Sequence, residues 1–216
     1  MKGNIKKLVV LMIITVIAPF IMAVMAFAGP TFPQSLQGQY ALTAAGTTLI
    51  APLGFDKNLI PINALQGAWI LQTFNNSGVY TFNIDGTGRA EIQSRSFTFP
   101  FTIPNPNPPP PTMPIPPSVG GAKIVFSFHY TITDDGKITI TGDPGTYVIT
   151  PTTGPPSPPT RWNGLKVSGF ISYDGKMIVG NTGVPDIWEI VPPAGTWPPT
   201  TQIVANNTVV MIWRSW

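Results

Sequence analysis

Apolar and polar residues alternate along most of the chain after Pro30. Between Lys123 and Thr133, Ile124, Phe126, Phe128, Tyr130 and Ile132 share one face; Lys123, Ser127, His129, Thr131 and Thr133 share the other, with Val125. A sustained period of two predicts a strand with one buried face. The segment runs into Asp134-Asp135-Gly136 and returns as Lys137–Thr141. An Asp-Gly pair between alternating segments predicts a hairpin whose tight turn takes positive φ at both central positions. The same unit recurs at Tyr80–Ile84 with Arg89–Ile92, and at Gly169–Tyr173 with Lys176–Val179. The three turns are too irregularly spaced for a solenoid or propeller.

Further strands are expected at Gln39–Thr43, Trp69–Phe74, Thr146–Thr150, Ile187–Val191 and Thr208–Trp213. The last is expected to be buried on both faces. Phe97, Phe99 and Phe101 fall on the opposite parity from Ala90 and Ile92, which predicts a bulge near Ser94–Ser96. No stretch after Pro30 keeps a helical period. The fold class is all-β: an antiparallel meander barrel of about eight to ten strands, with a β-sandwich as the alternative arrangement of the same strands.

Prolines punctuate this pattern. Of the 26 in the chain, many cluster at 100–117, 151–159 and 192–199. Proline cannot donate to a sheet ladder, so these are loops, stiffened toward extended polyproline II. They read as connectors, or as a docking ligand or a wall around the mouth of a site.

The first 28 residues follow a different rule. Lys2, Lys6 and Lys7 precede an uncharged run over residues 8–27, which ends in Ala26-Phe27-Ala28. A basic end, an apolar run and a small-x-small site predict a helical signal peptide, cleaved to leave a single domain over 29–216 and an exported, periplasmic or extracellular protein. The alternative is an uncleaved anchor through residues 8–27, by which the otherwise exported domain would meet a membrane. The chain has 12 basic and 9 acidic side chains, and three of the lysines belong to this segment, so the remainder is formally neutral. The remaining cations are scattered singly, which gives no footprint for nucleic acid.

Composition narrows the chemistry. There is no cysteine and one histidine, His129. A zinc site needs three or four ligands, and neither a thiol nucleophile nor a Gly-x-Ser-x-Gly elbow is present. Asp85, Asp134, Asp135 and Asp174 lie at turns, where aspartate accepts backbone hydrogen bonds. No metal site, cofactor or enzymatic activity is expected.

Gln37-Gly38-Gln39-Tyr40-Ala41-Leu42, Gly67-Ala68-Trp69 and Gly78–Gly88 together resemble the lipocalin-like β-barrels of exported bacterial proteins. The resemblance covers about half of the chain after residue 28. It implies a closed barrel in which Trp69 occupies the place of the tryptophan that closes one end, with Tyr40 as a second candidate. It also implies a small apolar ligand inside. The aromatic face of the central strands then supplies the candidate ligand-binding residues: Tyr80, Phe82, Phe126, Phe128 and Tyr130, with Trp69. Two other functional classes remain open. One is a structural or protein-interaction module of the cell surface. The other is an outer-membrane barrel, suggested by the apolar C-terminal strand with its terminal aromatics.

Overall fold

The computed structural model describes residues 31–51, 54–58, 60–62, 69–101, 117–154, 159–182, 186–191 and 201–215. The expected signal segment lies outside them, as do most of the residues in the three proline clusters. Among the described residues there are eleven strands and no helix: β1 (Gly38–Ala51), β2 (Trp69–Phe82), β3 (Thr87–Phe101), β4 (Ser118–Ile132), β5 (Lys137–Gly142), β6 (Tyr147–Pro151), β7 (Thr160–Asn163), β8 (Lys166–Ile171), β9 (Met177–Asn181), β10 (Asp186–Val191) and β11 (Thr201–Trp213).

All pair antiparallel in one sheet. The order β1-β2-β3-β4-β5-β8-β9-β11 closes on itself through the β1–β11 pair, from Tyr40↔Trp213 to Ala51↔Gln202, and so makes a ring of eight strands. Closure leaves these strands no free edge. The ring has a second circuit. Toward its C-terminal end β4 pairs with β5, over Phe128–Ile132; toward its N-terminal end it pairs with β6, over Ala122–Val125. Likewise β11 meets β9 over Thr208–Ile212 but β10 over Thr201–Ala205. The pairs β6–β7 and β7–β10 complete that path. Five long strands, β1 to β4 and β11, therefore run the full height. The rest of the wall is built in two tiers, β5-β8-β9 at one end and β6-β7-β10 at the other.

The sequence explains which end is which. The three Asp-Gly turns follow β2, β4 and β8 at the first end. The connections from β1 to β2, β3 to β4, β6 to β7 and β10 to β11 leave from the second end, and three of these carry the proline clusters. Short turns with a dedicated glycine close the first end. The strand ends that lead into segments unable to join a ladder are at the second.

The Asp-Gly turns differ from the expected geometry. At the first, the Gly86 N–H reaches the Asn83 carbonyl at 3.2 Å and Asn83 N–H the Thr87 carbonyl at 2.9 Å, so the loop is Ile84-Asp85-Gly86. The second has the same pattern over Asp134-Asp135-Gly136. The third has four residues, Tyr173 to Lys176. These are the longer hairpin loops, closed by one left-handed glycine and an aspartate side chain rather than by two positive-φ residues.

Three further expectations are corrected. Trp69–Phe74 and Tyr80–Ile84 are not separate strands, because β2 runs unbroken through Asn75-Asn76-Ser77-Gly78. There is also no bulge near Ser94–Ser96: the registers of β3 against β2 and β4 stay regular from Thr87 to Thr98. Phe97 and Phe99 instead sit on the outer parity, with Phe97 39% exposed and the two rings 4.7 Å apart. The C-terminal strand is buried on one face only. Ile203, Ala205, Val209 and Met211 point inward, while Ile212 is 55% exposed.

Candidate functional site: a half-filled interior

The interior differs between the two tiers. In the first, the rings of Phe82, Phe128 and Tyr130 interlock edge to face, with centroids 5.2 Å and 5.1 Å from Phe82. Ile138, Ile140, Ile171, Ile178 and Met211 complete a solid plug, all nearly inaccessible. Gly88 is needed here: a Cβ at that position would overlap the Phe128 ring, so its absence lets the ring lie across β3. The N-terminal stretch then covers this end. Tyr130 Oη accepts from the Leu36 N–H at 2.8 Å and donates to the Asn83 carbonyl at 2.8 Å. Tyr40 Oη donates to the Gly175 carbonyl at 2.5 Å. Phe32 stacks on Tyr173 at 4.2 Å and lies directly over Gly136, where any side chain would collide with it.

The second tier holds a partly open cavity of about 220 Å³. Tyr80 and Phe126 separate it from the plug. One wall is aromatic. Phe126 and Tyr147 stack at 4.8 Å, Tyr147 and Trp162 at 5.6 Å, and Trp188 lies 5.8 Å from Trp162. The facing wall, from β1, β2, β3 and β11, carries Thr48, Gln72, Asn76, Ser94, Ser96 and Asn207 among apolar residues such as Ala44, Ile92 and Val209. In the circuit β1-β2-β3-β4-β6-β7-β10-β11, β2 stands across from β7 and β3 across from β10, so the polar wall opposes the two indoles.

Polar groups are partnered unevenly in this space. Gln72 Nε2 donates to Thr98 Oγ1 at 3.2 Å. Four buried atoms, however, have no hydrogen-bond partner in the protein: Asn76 Oδ1, Asn207 Oδ1, Trp162 Nε1 and Trp188 Nε1. All four residues line the cavity. An unpartnered buried donor or acceptor costs roughly 1–3 kcal/mol, so an interior holding four of them is built at the expense of stability. No charged side chain lines the cavity among the described residues. Burial raises the pKa of Tyr80 and of Tyr147, so both phenols stay neutral.

The candidate residues from the sequence divide between the tiers. Tyr80 and Phe126 line the cavity. Phe82, Phe128 and Tyr130 belong to the plug beneath it. Trp69 opens β2, at an odd position in a strand whose even positions face inward, and its side chain lies outside the described residues. Tyr40 reaches the covered end, not the cavity. Tyr147 and Trp188 lie in strands the sequence predicts, but alternation does not show that these short strands bring Tyr147 against Phe126 and Trp188 against Tyr147; Trp162 lies on β7, a four-residue strand that the pattern does not mark. The sequence reading missed Asn76 and Asn207 because asparagines beside glycine or a second asparagine read as turn residues.

His129 lies on the outer face, 3.0 Å from Asp143 and more than half exposed. No group of three or more histidine, aspartate or glutamate side chains converges among the described residues. No known family model matches the chain, and no curated protein matches it.

Proposed function

We propose that the ring is a lipocalin-like barrel of an exported protein, and that it binds a small, largely apolar molecule in its second tier without catalysis. The observation that carries this reading is the contrast between tiers. The same chain packs aromatics to full density at one end and leaves about 220 Å³ at the other. Interiors of small barrels are ordinarily filled, and an unfilled one forfeits contacts along its lining. The volume exceeds the roughly 150 Å³ of an engineered cavity that takes up benzene. It falls below the roughly 300–1,000 Å³ typical of sites for drug-sized ligands. It therefore suits a molecule of one or two rings. The strand ends that lead into the three proline clusters lie at the end that holds the cavity, which favours reading the clusters as a wall around its mouth.

The test separates the two tiers by substitution. Ser94→Phe places a ring in the cavity. It should abolish uptake of a small apolar fluorescent dye and leave the melting temperature nearly unchanged. Phe128→Ala empties the plug. It should cost about 3–5 kcal/mol of stability while dye affinity per folded molecule is retained. Dye binding that survives Ser94→Phe would place the ligand elsewhere.

A second reading, the interaction module, draws on the outer face. Phe170 (63% exposed), Met177, Val179 and Ile212 form a contiguous apolar strip across β8, β9 and β11, with Phe170 paired to Val179 and Met177 to Ile212.

A further inference from the structure

The four unpartnered atoms specify more than an apolar guest. We infer that the cavity selects an uncharged ring compound with hydrogen-bonding groups at two separate ends: an acceptor for the indole N–H groups of Trp162 and Trp188, and a donor for the amide oxygens of Asn76 and Asn207. This rests on the proposal that the cavity is a binding site, and it names the class of ligand.

Geometry carries the inference. Asn76 faces Ala44 across the β1–β2 ladder and Asn207 faces Gly46 across the β1–β11 ladder. They flank β1 two residues apart along it, and roughly two strand spacings of about 4.8 Å apart across it. Trp162 and Trp188 sit on adjacent strands: β7 stands across the ring from Asn76 on β2, and Trp188 on β10 pairs with Ile203 of β11, four residues along that strand from Asn207. None of the four atoms has another of them as a hydrogen-bond partner. A guest between the walls can meet both, with its ring faces against the Phe126–Tyr147–Trp162 stack. A carboxylate or an ammonium would find no counter-charge in the lining, and burying an unpaired charge is far costlier than burying a neutral polar group. Water bound in such a polar cavity is the competitor, so the guest must reproduce the hydrogen bonds it displaces.

The test is equilibrium dialysis of the full chain against four probes that share one skeleton: naphthalene, naphthol, dihydroxynaphthalene with hydroxyls at opposite ends, and naphthoate. Dihydroxynaphthalene should bind about tenfold or more tighter than naphthalene, the gain expected from one or more hydrogen bonds to buried groups. Naphthol should fall between them and naphthoate should bind weakest. In Asn76→Leu and Asn207→Leu the advantage of the diol over naphthalene, measured within each variant, should shrink. Both variants should melt no lower than the parent without ligand, since each removes an unpartnered buried oxygen. If a variant fails to fold, the probe order on the parent protein decides. Equal binding of naphthalene and the diol, or tightest binding of naphthoate, overturns the inference and leaves the binding site standing. Binding of none of the four overturns both.

Discussion

Asp85, Asp135 and Asp174 each precede the left-handed glycine of a turn, and each spends its carboxylate on the turn itself. Asp85 accepts from the Thr87 hydroxyl at 2.7 Å and from its N–H at 3.0 Å. Asp135 accepts from the Thr133 hydroxyl and the Lys137 N–H; Asp174 accepts from the Ser172 hydroxyl at 2.6 Å and the Lys176 N–H at 3.1 Å. These side-chain hydrogen bonds, more than the backbone ones, lower all three pKa values below the usual carboxylate value. A lowered folded-state pKa means that the stabilisation is complete above the unfolded value of about 3.9 and is lost as pH falls toward the folded one. A triple Asp→Asn variant keeps an acceptor at each turn but has no proton to take up there. The melting temperature of the parent should therefore fall more steeply than the variant's between about pH 5 and pH 2. Parallel curves in a pH series of thermal melts would assign acid sensitivity to other groups. The aspartates were legible in the sequence as turn residues. Their turn type was not, because the difference between two- and three-residue loops lies in backbone hydrogen bonds.

At the scale of elements, alternation predicts orientation well where the interior is apolar and fails where it is polar. The β4 pattern puts Phe126, Phe128 and Tyr130 inward, as the sequence implies. In β2 and β11 the inward positions pass through Asn76 and Asn207, so the apolar signal lapses and one strand reads as two or is begun late. In β3 the outward positions become apolar at Phe97 and Phe99, which mimics a register change. Both errors have one cause: a cavity wall carries polar residues on the face that a filled core would make apolar. Strand contact also depends on residues with no side chain to read. Gly88→Ala should cost about 1–3 kcal/mol by overpacking against Phe128. In a double-mutant cycle, Phe128→Leu should recover part of that loss, with a coupling of about 0.5–3 kcal/mol measured by denaturant unfolding. Additive effects would show that the ring and the glycine do not constrain each other.

At the scale of the molecule, the all-β class and its antiparallel hairpins followed from alternation and turn signals, whereas closure through the β1–β11 pair did not, since the same strands fit a sandwich. Nor did the two-tier wall, because it depends on β4 and β11 each changing partner midway, which no local pattern encodes. That change of partner is what separates the plug from the cavity. The first tier is closed by tight turns and covered by Phe32, Leu36 and Tyr40. The second is walled by short strands between proline-rich connections. The filled interior and the cavity thus occupy different halves of one ring, joined by five continuous strands. The outward strip at Phe170 and Ile212 is the feature this division leaves without a role.

The most direct test is native mass spectrometry of the protein purified from the envelope of an exporting host, before and after extraction with organic solvent. The account predicts a discrete added mass, of the size of a one- or two-ring neutral compound, that solvent removes and that is missing from Ser94→Phe. A bare monomer with an open cavity, or an added mass that Ser94→Phe retains, would contradict it and shift the function to the outer face.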